Sequence, residues 1–165
     1  MKVGLETMRH REVLRRGDGV VIRTVPGSDP VLRQVADLCY ETLHRPFGVV
    51  RNDAWNEMDP ASTHFVALDG YRLVGYVRLI CEHGGGHVRQ VAVAPSHRRK
   101  GIAQDLVTAA IARAAESHLP FAFLNARSGA VGLYERLGFR ITSDPYRMGR
   151  TYLPHVRMER DLKAR

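Results

Sequence analysis

The segment Arg98-Arg99-Lys100-Gly101-Ile102-Ala103 sets three cations and a glycine directly after a strand-like run, Val91-Ala92-Val93-Ala94, that stops at Pro95. From Ile102 onward the apolar spacing is helical, so the basic turn opens a helix. There the first backbone amides lack partners within the helix and the helix dipole is positive, which together favour an anion. Gly101 has no Cβ to obstruct a phosphate oxygen, and Ala103 is small for the same reason. Arg98, Arg99 and Lys100 add charge around the bend. The chemistry that suits this segment is capture of a polyphosphate. Neither a Walker loop nor a GxGxxG dinucleotide pattern is present. The bland alternative is a solvated basic loop capping a surface helix.

A second stretch adds Asn125-Ala126-Arg127, Ala130, Tyr134 and Leu137-Gly138-Phe139. In this order and spacing the two stretches resemble the GCN5-related N-acetyltransferase (GNAT) superfamily. Arg98 to Ala103 is similar to its acetyl-CoA signature, Q/R-x-x-G-x-G/A. The second stretch resembles an asparagine ending the fifth strand and a tyrosine helix closing on Gly-Phe. The similarity covers roughly Thr63 to Phe139 well and the N-terminal third only by element order.

The resemblance implies acetyl-CoA as cosubstrate and direct attack by a primary amine in a ternary complex. It implies a fourth and a fifth strand that splay apart around the pantetheine arm. Backbone groups of the Val91-Ala92-Val93 stretch would pair with that arm, those of Val91 and Val93 polarising the thioester carbonyl. Amides of Arg99, Lys100, Gly101, Ile102 and Ala103 would hold the pyrophosphate, with Arg98 beside it. Asn125 would hydrogen-bond the arm or a water, and Tyr134 would protonate the departing thiolate. The other readings are a core tyrosine for Tyr134 and a turn former for Asn125.

An amine nucleophile must lose a proton, and the base is harder to place. Relatives that acetylate lysine use a glutamate six residues before the last valine of the strand; here that position is His87. A histidine can do this work, since its ordinary pKa is about 6.5. By period two His87, Arg89, Val91 and Val93 share one strand face, so His87 would face the splayed cleft. The alternatives are Glu82, His83, a proton relay through water, or a merely exposed His87. Glu41, His44, Arg45, Arg51, Asn52, Asp53, Trp55 and Tyr146 are candidates for the acceptor side, where Arg45 and Arg51 would suit a carboxylate.

The elements that must position these residues follow from the same pattern. Val20 to Val25 is a short strand, and Asp29-Pro30 is an N-cap with proline at the first position of a helix running to Leu43. Pro46 and Gly48 end it, and Arg51 to Ala61 is a loop or short helix. His64 to Leu68, Leu73 to Ile80 and His87 to Ala94 alternate with turns at Asp69-Gly70 and the flexible Gly84-Gly85-Gly86, an antiparallel meander. Ile102 to Ala115 is a helix, Phe121 to Leu124 a buried strand, and Gly129 to Leu137 a helix with Gly138 as its C-terminal cap. Phe139 to Thr142 and His155 to Arg160 close the sheet. Strand, helix and strand between His87 and Leu124 imply a parallel crossover. The expected fold is a mixed α/β, GNAT-like, mostly antiparallel sheet of about six to seven strands with about four flanking helices.

Composition bounds the rest. The 165 residues suit one domain, 19–165, behind a basic extension, 1–18, whose Arg9, Arg11, Arg15 and Arg16 read as a solvated tail or surface helix. A net charge of +8 favours anionic partners, nucleic acid or a polyphosphate. No helix-turn-helix, zinc-finger or RNP pattern supports a nucleic-acid module, so the cofactor and an amine acceptor are the expected partners. An acyl-CoA sensor without turnover is the other alternative. Cys39 and Cys81 have no CxxC spacing and read as buried thiols, not a disulfide framework or a zinc site. No apolar run spans a bilayer and the N-terminus lacks a signal-like apolar run, so a cytoplasmic monomer or homodimer is expected.

Overall fold

The computed structural model describes residues 11–51 and 62–163. Arg9 and the loop residues Asn52, Asp53, Trp55 and Met58 lie outside the described residues. The strands are β1 Arg11–Arg15, β2 Val21–Val25, β3 Thr63–Asp69, β4 Arg72–Glu82, β5 Gly85–Val93, β6 Phe121–Arg127, β7 Arg140–Ile141, β8 Tyr146–Met148 and β9 Leu153–Asp161. The α-helices are α1 Arg33–Cys39, α2 Ile102–Glu116 and α3 Val131–Arg136. They form one sheet in the order β1-β2-β3-β4-β5-β6-β9-β7, with β8 on β9. Among the described residues only β5 and β6 run parallel; the other pairs are antiparallel, as the meander and crossover require.

Among the described residues the sheet has nine strands rather than six or seven, the two additions being β1 and β8. Arg11–Arg15 is neither tail nor helix but an edge strand paired with β2, exposed along its length. Its main chain completes the ladder, and charged side chains on such an edge oppose further pairing. The short β8 has too few residues for a visible alternation and exists because β9 offers it an edge. Three α-helices flank the sheet among the described residues, against about four expected.

Local chemistry sets the helix ends. Asp29 accepts from the Val31 amide at 2.8 Å and Pro30 follows, so a single 3-10 turn, Pro30–Leu32, leads into α1. The helix continues through a wide turn, Tyr40–His44, and stops after Pro46 at Gly48, whose φ is +79°. The β4–β5 hairpin turns on His83 and Gly84, both left-handed at φ +53° and +79°, which matches strand twist. Gly85 and Gly86, expected to be flexible, are strand residues, Gly85 with no space for a side chain and Gly86 with little. A Cβ on Gly85 would come 2.5 Å from the Phe121 ring, and one on Gly86 3.1 Å from Ala114.

β4 runs through the middle of the core, nearly all of it buried. Successive strand residues point to opposite faces. Gly75 faces α2, and a Cβ there would meet Leu106 Cδ1 at 2.9 Å, Ile102 Cγ2 at 3.0 Å and Ala67 at 3.1 Å. Tyr76 points the other way, toward Cys39 of α1. This tight seat fixes the start of α2, and hence the basic bend, against the sheet. Gly75→Ala is expected to cost about 1–3 kcal/mol, the usual range for overpacking a filled core. Urea unfolding measures it; an unchanged midpoint would mean that α2 sits less closely than described.

Candidate active site

β5 and β6 pair only at Gly86–Ala122 and His87–Phe123. Beyond that point β6 keeps its other edge on β9 over its full length, from Phe121–Asp161 to Arg127–His155. β5 meanwhile follows β4 through a bulge: Gln90 has φ +57°, and the register slips between Tyr76–Ala92 and Arg78–Arg89. A bulge bends its strand and increases local twist. These fifth and sixth strands, with β1 counted, are the pair expected to splay. Between them opens a cleft of about 400 Å³, lined from β5 by His87, Val88, Arg89, Gln90 and Val91, from β6 by Leu124, Asn125 and Arg127, and from α3 by Tyr134.

Four of the residues singled out by sequence, His87, Val91, Asn125 and Tyr134, therefore meet in one place. Ala92 does not reach it, being packed in the core at 2% exposure. Nor does Val93 line the cleft; its carbonyl accepts from Arg98 Nε at 3.2 Å, which ties the bend to its own strand. The strict period-two face proposed for His87, Arg89, Val91 and Val93 is interrupted by the Gln90 bulge.

Tyr134 is positioned by the Gly-Phe that follows it. The Phe139 amide donates to the Tyr134 carbonyl at 3.0 Å and the Gly138 amide to that of Glu135 at 3.0 Å. Gly138 takes φ +86°, completing a Schellman closure. The Phe139 ring then meets the Tyr134 ring edge-on, centroids 6.0 Å apart. Burial pushes the Tyr134 hydroxyl up to about 12, with Arg127 acting weakly in the opposite sense. The hydroxyl therefore stays protonated across the physiological range.

Asn125 stands within β6 rather than at its end or in a turn, opposite Arg157. The Tyr146 hydroxyl donates to its Oδ1, leaving the Asn125 amide group as a donor. Tyr146 arrives from β8, which explains why a strand without a sequence signature matters here.

His87 and Glu82, alternatives in sequence, are partners in space. The Glu82 carboxylate meets His87 Nδ1, and the imidazole stacks on Phe123 with centroids 4.4 Å apart. Burial lowers the His87 pKa more than the Glu82 bond raises it, and Arg89 lowers it further. The Glu82 carboxyl is held below its ordinary range chiefly by the same bond. A neutral imidazole donating through Nδ1 to Glu82 keeps Nε2 as a proton acceptor. His83 is in the exposed hairpin turn and does not line the cleft.

The basic bend has a shape suited to an anion. Arg99 and Gly101 are left-handed at φ +60° and +82°, and Gly101 is the N-cap of α2, with no side-chain cap bond. Alternating backbone handedness gathers successive amides into a nest at the positive end of the helix. Ile102 is buried at 1% and serves as the anchor of the bend, while Arg98, Arg99 and Lys100 are exposed and Ala103 half-buried. His97 braces the bend from below, its Nε2 2.9 Å from Asp69 and its Nδ1 2.7 Å from Ser96 Oγ.

One residue of this site escapes sequence reasoning. Arg16, just after β1, is no solvated cation: its guanidinium binds the Lys100 carbonyl and the Asp105 carboxylate, with Asp18 at 3.1 Å. Asp105 is the acid in the first turn of α2, where it would repel a phosphate, and Arg16 neutralises it. The only sequence signal is a basic cluster that looks like tail. Arg45 and Arg51 do not line the cleft; they pair with Glu41 at 2.8 Å and with Asp37. Cys39 is buried and pushed up to about 12, hence a thiol, whereas Cys81 is exposed rather than buried.

Residues 34–162 match the family description "Acetyltransferase (GNAT) domain". The chain belongs to the GNAT family. This GNAT protein is 30% identical over 131 residues to the uncharacterized N-acetyltransferase YjcF of Bacillus subtilis, a span of 78% of the chain and 93% of that relative. Its fold is similar to that of an acyl-CoA N-acyltransferase from Pseudomonas aeruginosa, with a TM-score of 0.70, 20% identity and coverage of 86% and 99%. It is also similar to an aminoglycoside 6'-N-acetyltransferase complexed with coenzyme A, with a TM-score of 0.71, 19% identity and coverage of 87% and 98%. The GNAT fold expected from the two motifs is the fold observed. Among the described residues no helix is long and apolar enough to cross a membrane.

Proposed function

We propose that this GNAT protein transfers an acetyl group from acetyl-CoA to a primary amine by direct attack in a ternary complex. The observation that carries the reading is the meeting of His87, Val91, Asn125 and Tyr134 in the cleft where β5 leaves β6. The nest at Arg99–Gly101 holds the diphosphate, with Arg98 beside it. The pantetheine arm lies along β5, and the Asn125 amide group donates to it.

The amine nitrogen attacks the thioester carbon, the C–S bond breaks, and one proton leaves the nitrogen as another reaches sulfur. Nε2 of His87 takes the first and the Tyr134 hydroxyl gives the second. Burial keeps Tyr134 protonated and equally disfavours a bare thiolate beside it, so the transfer offsets the cost of expelling sulfur. The test is thiol release from acetyl-CoA against a panel of amines. Release that depends on an amine supports the reading; CoA binding with no release for any amine leaves an acyl-CoA sensor.

The base has its own signature. A lowered His87 pKa means the imidazole stays neutral to below about pH 6.5, so kcat should hold through neutrality and fall only under that value. His87→Gln is expected to lower kcat by about 10²–10⁴-fold and to remove that acid limb. A limb that survives the substitution belongs to another group.

A further inference from the structure

We infer that Phe123 and Arg157 are positioning residues for the proton transfer at His87: stacked in one column with the imidazole, they hold it in a single orientation on Glu82. The inference rests on the reading of His87 as the base, and deepens it. Strand register dictates the arrangement. His87 of β5 stands directly opposite Phe123 of β6, and Phe123 stands directly opposite Glu159 of β9. Opposed residues share a sheet face, as do residues two apart on one strand, so Arg157 joins the row. Because β6 lies between β5 and β9, the imidazole and the guanidinium reach the Phe123 ring from strands on its two sides.

The contacts bear this out. The imidazole lies on the Phe123 ring with centroids 4.4 Å apart and planes 20° apart, and the Arg157 guanidinium carbon is 4.3 Å from the centroid of the same ring. A carboxylate closes each end of the column. Glu82 meets His87 Nδ1, and Glu159 accepts from Arg157 Nε at 3.1 Å and from Nη2 at 2.9 Å. The middle is fixed by packing, since Phe123 is buried. Phe121 backs it with centroids 5.9 Å apart, in the space that the missing side chain of Gly85 leaves open.

The column does what a single hydrogen bond does not. Glu82 selects the tautomer with its proton on Nδ1, but a ring held at one atom still turns about its Cβ–Cγ bond. Turning it out of plane drives it into Phe123, so the stack removes that freedom. A flipped ring presents carbon to Glu82 and displaces the accepting nitrogen, and a misplacement of about 1 Å costs up to about 10²-fold in rate. A cation over an aromatic face is attracted to the ring, which draws Arg157 and Phe123 together. Burial is the chief cause of the lowered His87 pKa, and the Arg157 charge acts in the same direction. Phe123 and Arg157 thus act through His87, not on the reacting atoms.

The test reads the imidazole directly and the rate separately. Heteronuclear NMR of nitrogen-labelled, CoA-bound protein at neutral pH should show His87 as one species with its proton on Nδ1. Phe123→Leu keeps an apolar side chain and removes the stack. His87 should then populate both tautomers, and kcat should fall about three- to tenfold while the Kd for CoA changes by less than about threefold. Arg157→Met, a half-buried position outside the core, should act in the same way by about two- to fivefold, and serves where Phe123→Leu does not fold. In a His87→Gln background either substitution should lower kcat by less than about twofold, because the residue it positions is gone. An equal fall in both backgrounds overturns the inference, as does a parent proton on Nε2 or an unchanged His87 spectrum in a folded variant. Tautomer mixing in the variants with no thiol release for any amine keeps the column and removes the transferase reading. Amine-dependent thiol release with parental kcat in the variants does the reverse.

Discussion

Gly101→Asp is expected to weaken CoA binding by about two to three orders of magnitude while the protein remains folded. The two halves of this expectation have separate causes. A Cβ on Gly101 meets little: its nearest neighbour is Arg16 Nη1 at 3.8 Å. Folding therefore bears only the cost of a side chain at φ +82°, on the order of 1–2 kcal/mol. The ligand bears the rest. A carboxylate about 4 Å from a phosphate is repelled by up to about 4 kcal/mol near a protein surface. Calorimetry with CoA, beside a thermal melt, separates the two effects. A folded variant that binds CoA as the parent does would mean the diphosphate lies elsewhere.

Tyr134→Phe is the complementary case, a loss of turnover without a loss of affinity. The ring would keep its place, since the Schellman closure and the edge contact with Phe139 involve backbone and ring carbons and not the hydroxyl. Only the proton for sulfur is removed. A well-placed general acid contributes about 10²–10⁴-fold, so kcat should fall by that order with the Kd for CoA changed by less than about threefold. Single-turnover thiol release and CoA titration on the same preparation measure both. A variant with parental kcat would make Tyr134 a packing residue and pass the protonation of sulfur to water.

Much of this site is readable along the chain because its parts are local. The bend from Arg98 to Ala103 owes its character to adjacent residues and the helix they begin. The closure that aims Tyr134 is made of bonds reaching back three and five residues, so Tyr-x-x-x-Gly-Phe is a structural signal in itself. The crossover from β5 through α2 to β6 follows from a change in apolar period from two to 3.6. The β4–β5 hairpin announces itself by glycine, although two of its three glycines turn out to serve close packing rather than turning.

What sequence alone determined is accordingly the fold class and the short-range devices: the basic bend before α2, the tyrosine helix, the meander and the crossover. Tertiary structure alone decided the rest. Arg16 reaches Lys100 and Asp105 across 84 and 89 residues. The bulge at Gln90 adopts a backbone conformation its side chain does not advertise. His87 and Glu82 become a pair, and Arg89, Arg127 and Arg150 from three separate segments come to ring one cleft. The physical reason is range. Helix, turn and cap preferences depend on a few neighbouring residues, whereas strand register and charge clustering depend on which distant surfaces pack, and no short segment encodes that choice.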